Sequence, residues 1–187
     1  MRRGFKAQAE KLALKHRSKL GLSEQDRLDP MAFLKSIGIL VWKPSEIPGI
    51  NPNHLHQLTV VDPHSWSGMT LKENGWTLII INPTHPVTRQ ANTLMHEWSH
   101  IELRHKPSRA DRSEGGILLL SDYPPDLEDE ADWLAGCMLA PRDGLLHHCR
   151  RAMSTDNVAA HFGISPQLAN WRIGKTGIRR QLSARQY

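Results

Sequence analysis

Residues 94–103 read "LMHEWSHIEL", which places His96 and His100 four positions apart with Glu97 directly after the first histidine. On an α-helix, side chains four positions apart lie on the same face, so both imidazoles can point at one ion. This H-E-x-x-H spacing, with Trp98 among the surrounding apolar residues, is typical of a helix that holds a divalent metal. The pattern alone leaves open an accidental pair of surface histidines on an amphipathic helix.

A third metal ligand has to come from elsewhere in the chain, because a catalytic zinc has three protein ligands and one open position. One known arrangement would need a histidine at position 106, which is Lys106, and His105 is one residue out of that register. The other arrangement takes a carboxylate from a second helix. The segment "LEDEADWLA" at 127–135 offers Glu128, with Glu130 as its competitor. A set of two histidines and one glutamate suits zinc best, with one ion per chain, although manganese or iron could also occupy it.

These ligands imply roles for their neighbours. Glu97 would act as the general base without binding the metal. Asp132, four positions after Glu128, would accept the second imidazole N–H of a metal-bound histidine. The residue that stabilises the oxyanion is open among three candidates, which are Tyr123, His147 and His148.

Composition favours an ordinary soluble domain. The chain has 187 residues, 39% hydrophobic and 23% charged, and no apolar run approaches the length of a membrane helix. The basic N-terminus lacks the apolar middle region of a secretory signal. Cys137 and Cys149 are the only cysteines, which suggests no disulfide framework and a reducing, cytoplasmic location.

The net charge of +5 is unevenly distributed. Residues 1–20 carry seven basic residues and one acidic residue, a formal charge of +6. Residues 142–187 carry eight basic and two acidic residues, which is also a formal charge of +6. The middle of the chain, residues 21–141, therefore has a formal charge of −7. Two basic ends predict contact with a polyanion, first of all nucleic acid, although a solvated helix face is the alternative. The candidate contacts are Arg2, Arg3, Lys6, Arg172, Lys175, Arg179 and Arg180.

Periodicity predicts the order of helices and strands. Helices are expected at 4–20, at 24–37 with Ser23 as N-cap, at about 86–104 and at about 125–139. Two or three antiparallel strands are expected between 54 and 82, with a hairpin turn at Asn74-Gly75. A Ser/Gly-rich loop is expected at 113–116.

The C-terminal stretch 156–178 has helix-turn-helix patterning, with Gly163 in the turn and a second helix from Ser165. We therefore expect a metal-binding domain at 1–150, which includes a basic helix at 1–20, and a basic helix-turn-helix-like segment at 151–187. This segment either contacts DNA or serves only as a helical cap.

The segment "TRQANTLMHEWSHIEL" at 88–103 resembles the motif block of the ImmA/IrrE-type metallo-endopeptidases. The resemblance covers roughly residues 55–175, and Ser99 departs from it because glycine is common there. The matching positions outside H-E-x-x-H are Ser67, Gly68, Asn82, Arg89, Thr93, Glu128, Ala131, Asp132 and "MLAP" at 138–141.

This resemblance implies an α+β, mainly helical zincin-like fold with a small antiparallel β-sheet. It also implies a cytoplasmic protease that cuts a helix-turn-helix transcriptional repressor in a stress, DNA-damage or phage-related response, with single- or double-stranded DNA as a candidate activator.

The alternative from another class is a DNA-binding regulatory or sensor protein with a non-catalytic metal site. Glu97 argues against it, since a structural site has no use for a base. A metallohydrolase of small molecules is a second alternative.

Overall fold

A computed structural model describes residues 1–73, 75–112 and 118–184 of the chain. The chain divides into two compact units: residues 29–131, called the sheet unit, and residues 1–28 with 132–187, called the helical unit. The predicted mainly helical α+β class is confirmed. The grouping differs from the boundary expected at residue 150, because the N-terminal helix packs with the C-terminal helices in one unit.

Helices are present near the positions predicted at 4–20, 86–104 and 125–139. The expectation of strands was wrong for residues 54–61, which are helical, because the Asn51 side chain accepts from the Asn53 N–H and Pro52 occupies the first turn. The strands at 109–112 and 118–121 were not predicted.

The helices are α1 Phe5–Lys19, α2 Pro30–Ser36, α3 Pro52–His56, α4 Val87–Glu102, α5 Pro125–Leu139, α6 Arg142–Arg150, α7 Thr155–Phe162, α8 Pro166–Lys175 and α9 Ile178–Ser183. The strands are β1 Leu40–Trp42, β2 Gly68–Glu73, β3 Trp76–Ile81, β4 Arg109–Arg112 and β5 Leu118–Ser121. Within the described ranges, no helix is long and apolar enough to cross a membrane. The loop expected at 113–116 lies outside the described residues.

The prediction for the second helix was wrong at its start. The helix α2 begins at Pro30 and not at residue 24, because the Asp29 carboxylate accepts hydrogen bonds from the backbone N–H groups of Met31 and Ala32. An aspartate N-cap followed by proline in the first turn is a stronger start signal than Ser23. Ser23 instead bonds to the Asp26 carboxylate through its N–H and hydroxyl.

Among the described residues, the sheet of the sheet unit has five strands in the order β1-β3-β2-β5-β4. The predicted hairpin is present: β2 and β3 pair antiparallel with Glu73 opposite Trp76, and Gly75 has a φ of +88°. Asn74 lies outside the described residues. The sheet is larger than predicted and is mixed, because β1 pairs parallel with β3 and β4 and β5 extend the other side. Local periodicity does not specify pairing between segments distant in sequence.

The helix α4 packs on β2 and β3 within the sheet unit. Its buried face includes Leu94, Met95 and Trp98, and the Trp98 ring meets Phe33 of α2 edge to face at 5.0 Å. Burying each such side chain contributes about 1.5–3 kcal/mol. Gly68 of β2 lies directly under the helix, since a Cβ there would be 2.7 Å from the Thr93 methyl carbon. The absence of a side chain at this position therefore permits the close approach.

A buried arginine organises the helical unit. Arg17 of α1 is fully buried, and its guanidinium donates to the carbonyl oxygens of Met138 at 2.6 Å, Ser23 at 2.8 Å and Asp26. It ties the turn after α1 to the C-terminal end of α5. Because a buried cation without partners costs several kcal/mol, this complete set of acceptors makes Arg17 a structural residue.

The helix-turn-helix-like arrangement is formed by α7 and α8 in the helical unit. Ser154 and Ser165 cap the two helices through their hydroxyls, which accept from the backbone N–H groups of Asn157 and Leu168. Gly163 ends α7 with a φ of +68°, a left-handed conformation that favours glycine.

We predict that Gly144→Ala destabilises the helical unit. A Cβ at this position of α6 would lie 2.0 Å from the backbone oxygen of Glu24, so the chain has to shift at a cost of about 1–3 kcal/mol. The matched control is Gly174→Ala in α8, where no atom lies within 4 Å of the new Cβ and helix propensity favours alanine by up to about 1 kcal/mol. Denaturant unfolding measures both changes. Equal stability of the two variants would contradict the predicted clash.

We also predict that stability falls as the pH drops below about 6.5, with His148 as a contributor. Burial lowers the pKa of His148, and the neighbouring His161 and His147 lower it further. The unfolded chain then binds a proton at a higher pH than the folded chain does, so protonation favours unfolding by up to about 1.4 kcal/mol per pH unit. Unfolding curves at pH 7, 6 and 5 should show a shallower pH dependence for His148→Gln. His54→Gln, which removes an exposed histidine, is the control.

Candidate metal centre

Three side chains of the sheet unit converge on one point. His96 and His100 come from α4 and Glu128 comes from the first turns of α5. The two imidazole Nε2 atoms are 3.1 Å apart, and the Glu128 oxygens lie 3.1 Å from His96 Nε2 and 3.7 Å from His100 Nε2. Among the described residues, this is the group of His, Cys, Asp and Glu side chains whose spacing suits a metal.

The spacing of these three donors fits a tetrahedral metal ion. Ligands bound at about 2.0–2.1 Å with tetrahedral angles lie roughly 3.4 Å from one another. The two histidine nitrogens are 3.1 Å apart, and each lies 3.1 or 3.7 Å from its nearer Glu128 oxygen, which is Oε2 for His96 and Oε1 for His100. These distances are close to that value, and one donor atom from each residue can be chosen with all three within 4.8 Å of one another. Two imidazole nitrogens and a carboxylate are also the donor set of a catalytic zinc site, which leaves one position open. The residues present therefore fit a single metal ion.

The three donors differ in exposure, which gives the site a closed side and an open side. The side chain of His100 is 2% exposed, that of His96 is 21% exposed and that of Glu128 is 41% exposed. The hydrogen bond from His96 lowers the pKa of Glu128, and the charges on both histidines lower it further. Glu128 is therefore an ionised donor at neutral pH on the side open to solvent.

Glu97 is held beside the metal ligands by a residue of β2. The Thr70 hydroxyl donates to Glu97 Oε2 at 2.5 Å, and Thr70 is 1% exposed. Burial raises the pKa of Glu97, while the hydrogen bond from Thr70 and the charge of His96 oppose that rise. A raised pKa makes a carboxylate a stronger base near neutral pH. Gly68, two residues before Thr70, leaves room for this side chain, since its missing Cβ would lie 3.7 Å from Glu97 Cγ.

Tyr123 lies against the same site. Its ring stacks on the His100 imidazole with centroids 3.7 Å apart and an angle of 23° between the planes. Burial raises the pKa of Tyr123 to about 12, and the charges of Glu97 and Glu128 contribute. The phenol is thus a protonated hydrogen-bond donor at neutral pH. The structure places this oxyanion candidate at the site.

A second pair of side chains stands behind His100. His105 Nδ1 lies 3.0 Å from His100 Nδ1, and His105 Nε2 lies 3.6 Å from Glu130 Oε2. Both His105 and Glu130 are almost completely buried. Sequence reasoning considered each of them only as a direct metal ligand, whereas they contact His100 and one another.

The other predicted site residues lie elsewhere. Asp132 is exposed on α5, so its contact with a ligand histidine stays a prediction. His147 and His148 lie on α6 of the helical unit, where the His148 ring packs on His161 and Phe162. Their role as oxyanion stabilisers also stays a prediction.

The prediction that Arg172 contacts nucleic acid was wrong. Its side chain is fully buried, donates to the Ala140 carbonyl oxygen at 3.1 Å and pairs with Glu10 at 2.6 Å. Arg172 lies on the inward face of α8, so its charge is used inside the helical unit. The remaining candidates are exposed on the same unit, and they are Arg2, Arg3, Lys6, Lys175, Arg179 and Arg180.

Sequence reasoning missed Thr70. The sequence contained one indication of its role: Gly68 and Thr70 are two positions apart on a strand and therefore lie on the same face of the sheet. That face had to be the one covered by α4, since only glycine leaves room for a closely packed helix. Ser99, the departure from the motif, is accommodated: it is fully buried and its hydroxyl donates to the Met95 carbonyl oxygen.

Comparison with known proteins gives one match. The family described as the IrrE N-terminal-like domain, a peptidase family, matches residues 69–173. No curated protein and no solved structure matches the chain. The matched segment is more than half of the chain and contains the converging histidines, Glu97 and Glu128. This chain therefore belongs to the IrrE N-terminal-like family of metallopeptidases.

Proposed function

We propose that this chain is a zinc-dependent endopeptidase with His96, His100 and Glu128 as ligands and Glu97 as the general base. The observation that carries the proposal is the convergence of these ligand atoms next to a buried, hydrogen-bonded carboxylate. A bound zinc supplies Lewis-acid polarisation of the scissile carbonyl and acidifies water. His₂Glu with one open position is the ligand set that this chemistry uses.

Glu97 and Tyr123 do the remaining work on the substrate. Glu97 accepts a proton from the attacking water and passes it to the leaving amine, which breaks the peptide bond. Thr70 fixes one carboxylate oxygen, so the other oxygen is directed to the water. Tyr123 stays protonated at neutral pH and donates a hydrogen bond to the oxyanion that develops on the scissile carbonyl.

The proposed substrate is a helix-turn-helix transcriptional repressor, and the setting is a cytoplasmic response to stress, DNA damage or phage. Support comes from the resemblance to the ImmA/IrrE-type endopeptidases and from membership of the IrrE N-terminal-like family. The site can also admit a protein substrate, because the Glu128 side of the three metal ligands is exposed to solvent.

Nucleic acid is the proposed activator. The helical unit carries sixteen basic and six acidic residues, a formal charge of +10, whereas the sheet unit carries eight and thirteen, a charge of −5. Both basic ends of the chain thus belong to one unit, which also contains the helix-turn-helix-like pair α7 and α8. Phosphate contacts of this kind need charge and little sequence specificity.

The alternative is a DNA-binding regulatory or sensor protein whose metal site is not catalytic. The same basic helical unit supports it. The raised pKa of Glu97 and its hydrogen bond with Thr70 favour the enzyme, since neither has a use at a structural metal site.

We predict that Glu97→Gln keeps the metal and loses the protease activity. Purified full-length protein would be incubated with zinc and the helix-turn-helix protein encoded next to it, and cleavage would be followed on gels. Removal of the base should lower the rate by about 10²–10⁴-fold, whereas elemental analysis should still find one zinc per chain. Asp129→Asn, which removes an exposed carboxylate from α5, is the control. Equal cleavage by Glu97→Gln would exclude Glu97 as the base.

We predict that single- or double-stranded DNA stimulates cleavage and that charge reversal on α9 weakens this effect. Arg179→Glu/Arg180→Glu changes two exposed residues of the helical unit. Each lost phosphate contact should reduce the slope of log K against log salt concentration by about 0.7–0.9. Lys35→Glu/Lys43→Glu makes the same charge change in the sheet unit. DNA binding without any cleavage, in every condition, would instead support the sensor alternative.

A further inference from the structure

The turn after α4 carries His105 back towards the metal ligand His100. The His105 backbone N–H donates to the His100 carbonyl oxygen at 3.0 Å, and the Arg104 N–H donates to the Ile101 carbonyl oxygen at 3.1 Å. These two bonds form a Schellman motif, in which the first residue after the helix cap has a left-handed backbone conformation. That residue is Arg104, with a φ of +53°, although glycine is preferred there.

This helix ending places the His105 imidazole directly behind the His100 imidazole. The two Nδ1 atoms are 3.0 Å apart and the ring centroids are 5.0 Å apart. The opposite nitrogen of His105 faces Glu130, whose side chain is 1% exposed. Glu128 and Glu130 are two positions apart on α5, so they point to different sides of the helix. One turn of α5 therefore supplies both a metal donor and a buried carboxylate.

The order of donors and acceptors in this chain follows from His100 binding the metal through Nε2. Its Nδ1 then carries the proton and donates to Nδ1 of His105, which has to be an acceptor. His105 must consequently hold its own proton on Nε2, the nitrogen that faces the Glu130 carboxylate. The Glu130 carboxyl group lies 3.6 Å from this nitrogen, longer than a hydrogen bond, and is the polar group that faces the far side of the His105 imidazole.

We infer that His105 and Glu130 are positioning residues that fix the tautomer and the orientation of the metal ligand His100. The inference rests on the proposed function, because it requires His100 to be a metal ligand. Neither residue contacts the substrate or the metal. Their effect is to hold Nε2 of His100 unprotonated and aimed at the ion, and to make it a stronger donor. Loss of such partners typically costs about 10- to 100-fold in metal affinity.

The test is the zinc affinity of the full-length protein, measured by competition with a chelator of known affinity. Glu130→Gln and His105→Phe should each bind zinc about 10- to 100-fold more weakly than the wild type. His105→Asn should lose less than His105→Phe, because its amide oxygen can accept the proton of His100 Nδ1. Asp129→Asn makes the same charge change as Glu130→Gln at an exposed position of α5 and should leave the affinity unchanged.

A second readout is the imidazole ¹H–¹⁵N spectrum of the zinc-loaded protein. The wild type should show a slowly exchanging Nδ1–H proton on His100 and an Nε2–H proton on His105. Glu130→Gln is nearly isosteric, so its spectrum tests the role of Glu130 even if His105→Phe folds poorly. We expect faster exchange of the His105 proton in that variant.

The possible outcomes separate the two proposals. If the wild type binds one zinc and Glu130→Gln binds it equally well with an unchanged spectrum, the inference is overturned and the proposed protease stands. Equal losses in His105→Asn and His105→Phe would also overturn it, since that result indicates packing only. If the wild type binds no zinc, the proposed function fails and the inference fails with it.

Discussion

The close packing of α4 on β2 is the constraint on which the rest of the site depends. Gly68 lacks the Cβ that would meet Thr93 at 2.7 Å, so the helix can lie against the strand. At that separation the Thr70 hydroxyl reaches the Glu97 carboxylate at 2.5 Å. Burial raises the pKa of Glu97 by disfavouring the ionised form, and the hydrogen bond from Thr70 opposes that rise.

The same helix presents different chemistry on neighbouring positions. His96 and His100 project towards Glu128, while Glu97 turns towards the sheet and Thr70. The C-terminal end of α4 then adds His105, which contacts the most buried of the ligands from behind. The site is thus assembled from one helix, its helix-ending turn, one strand and the start of α5, all within the sheet unit. His96, Glu97, His100 and His105 are close together along the chain, whereas packing brings Thr70 and Glu128 to them.

Much of this site follows from the sequence, because helical spacing is local. The positions of His96, Glu97 and His100 on one helix, and of Glu128 near the start of another, need only a period of 3.6 residues. Arg172 shows the limit of such reasoning. It lies in a basic segment beside helix-turn-helix patterning, yet the structure buries it against Glu10 and Ala140. A cluster of basic residues in the sequence does not show which face of a short helix packs against the rest of the protein and which face meets solvent.

By itself, the sequence determined the H-E-x-x-H helix, the helix that carries Glu128, the hairpin between β2 and β3 and the family to which the chain belongs. These features depend on spacing, capping and turn residues within a few positions of one another. Tertiary structure alone decided the parallel pairing of β1 with β3, the grouping of residues 1–28 with the C-terminal helices, and the contacts of Thr70, His105 and Glu130. Each of these joins segments that are separate in the sequence or depends on which side of a helix is buried. Only packing can make that choice, because a hydrogen bond such as Thr70 to Glu97 forms across 27 residues of chain.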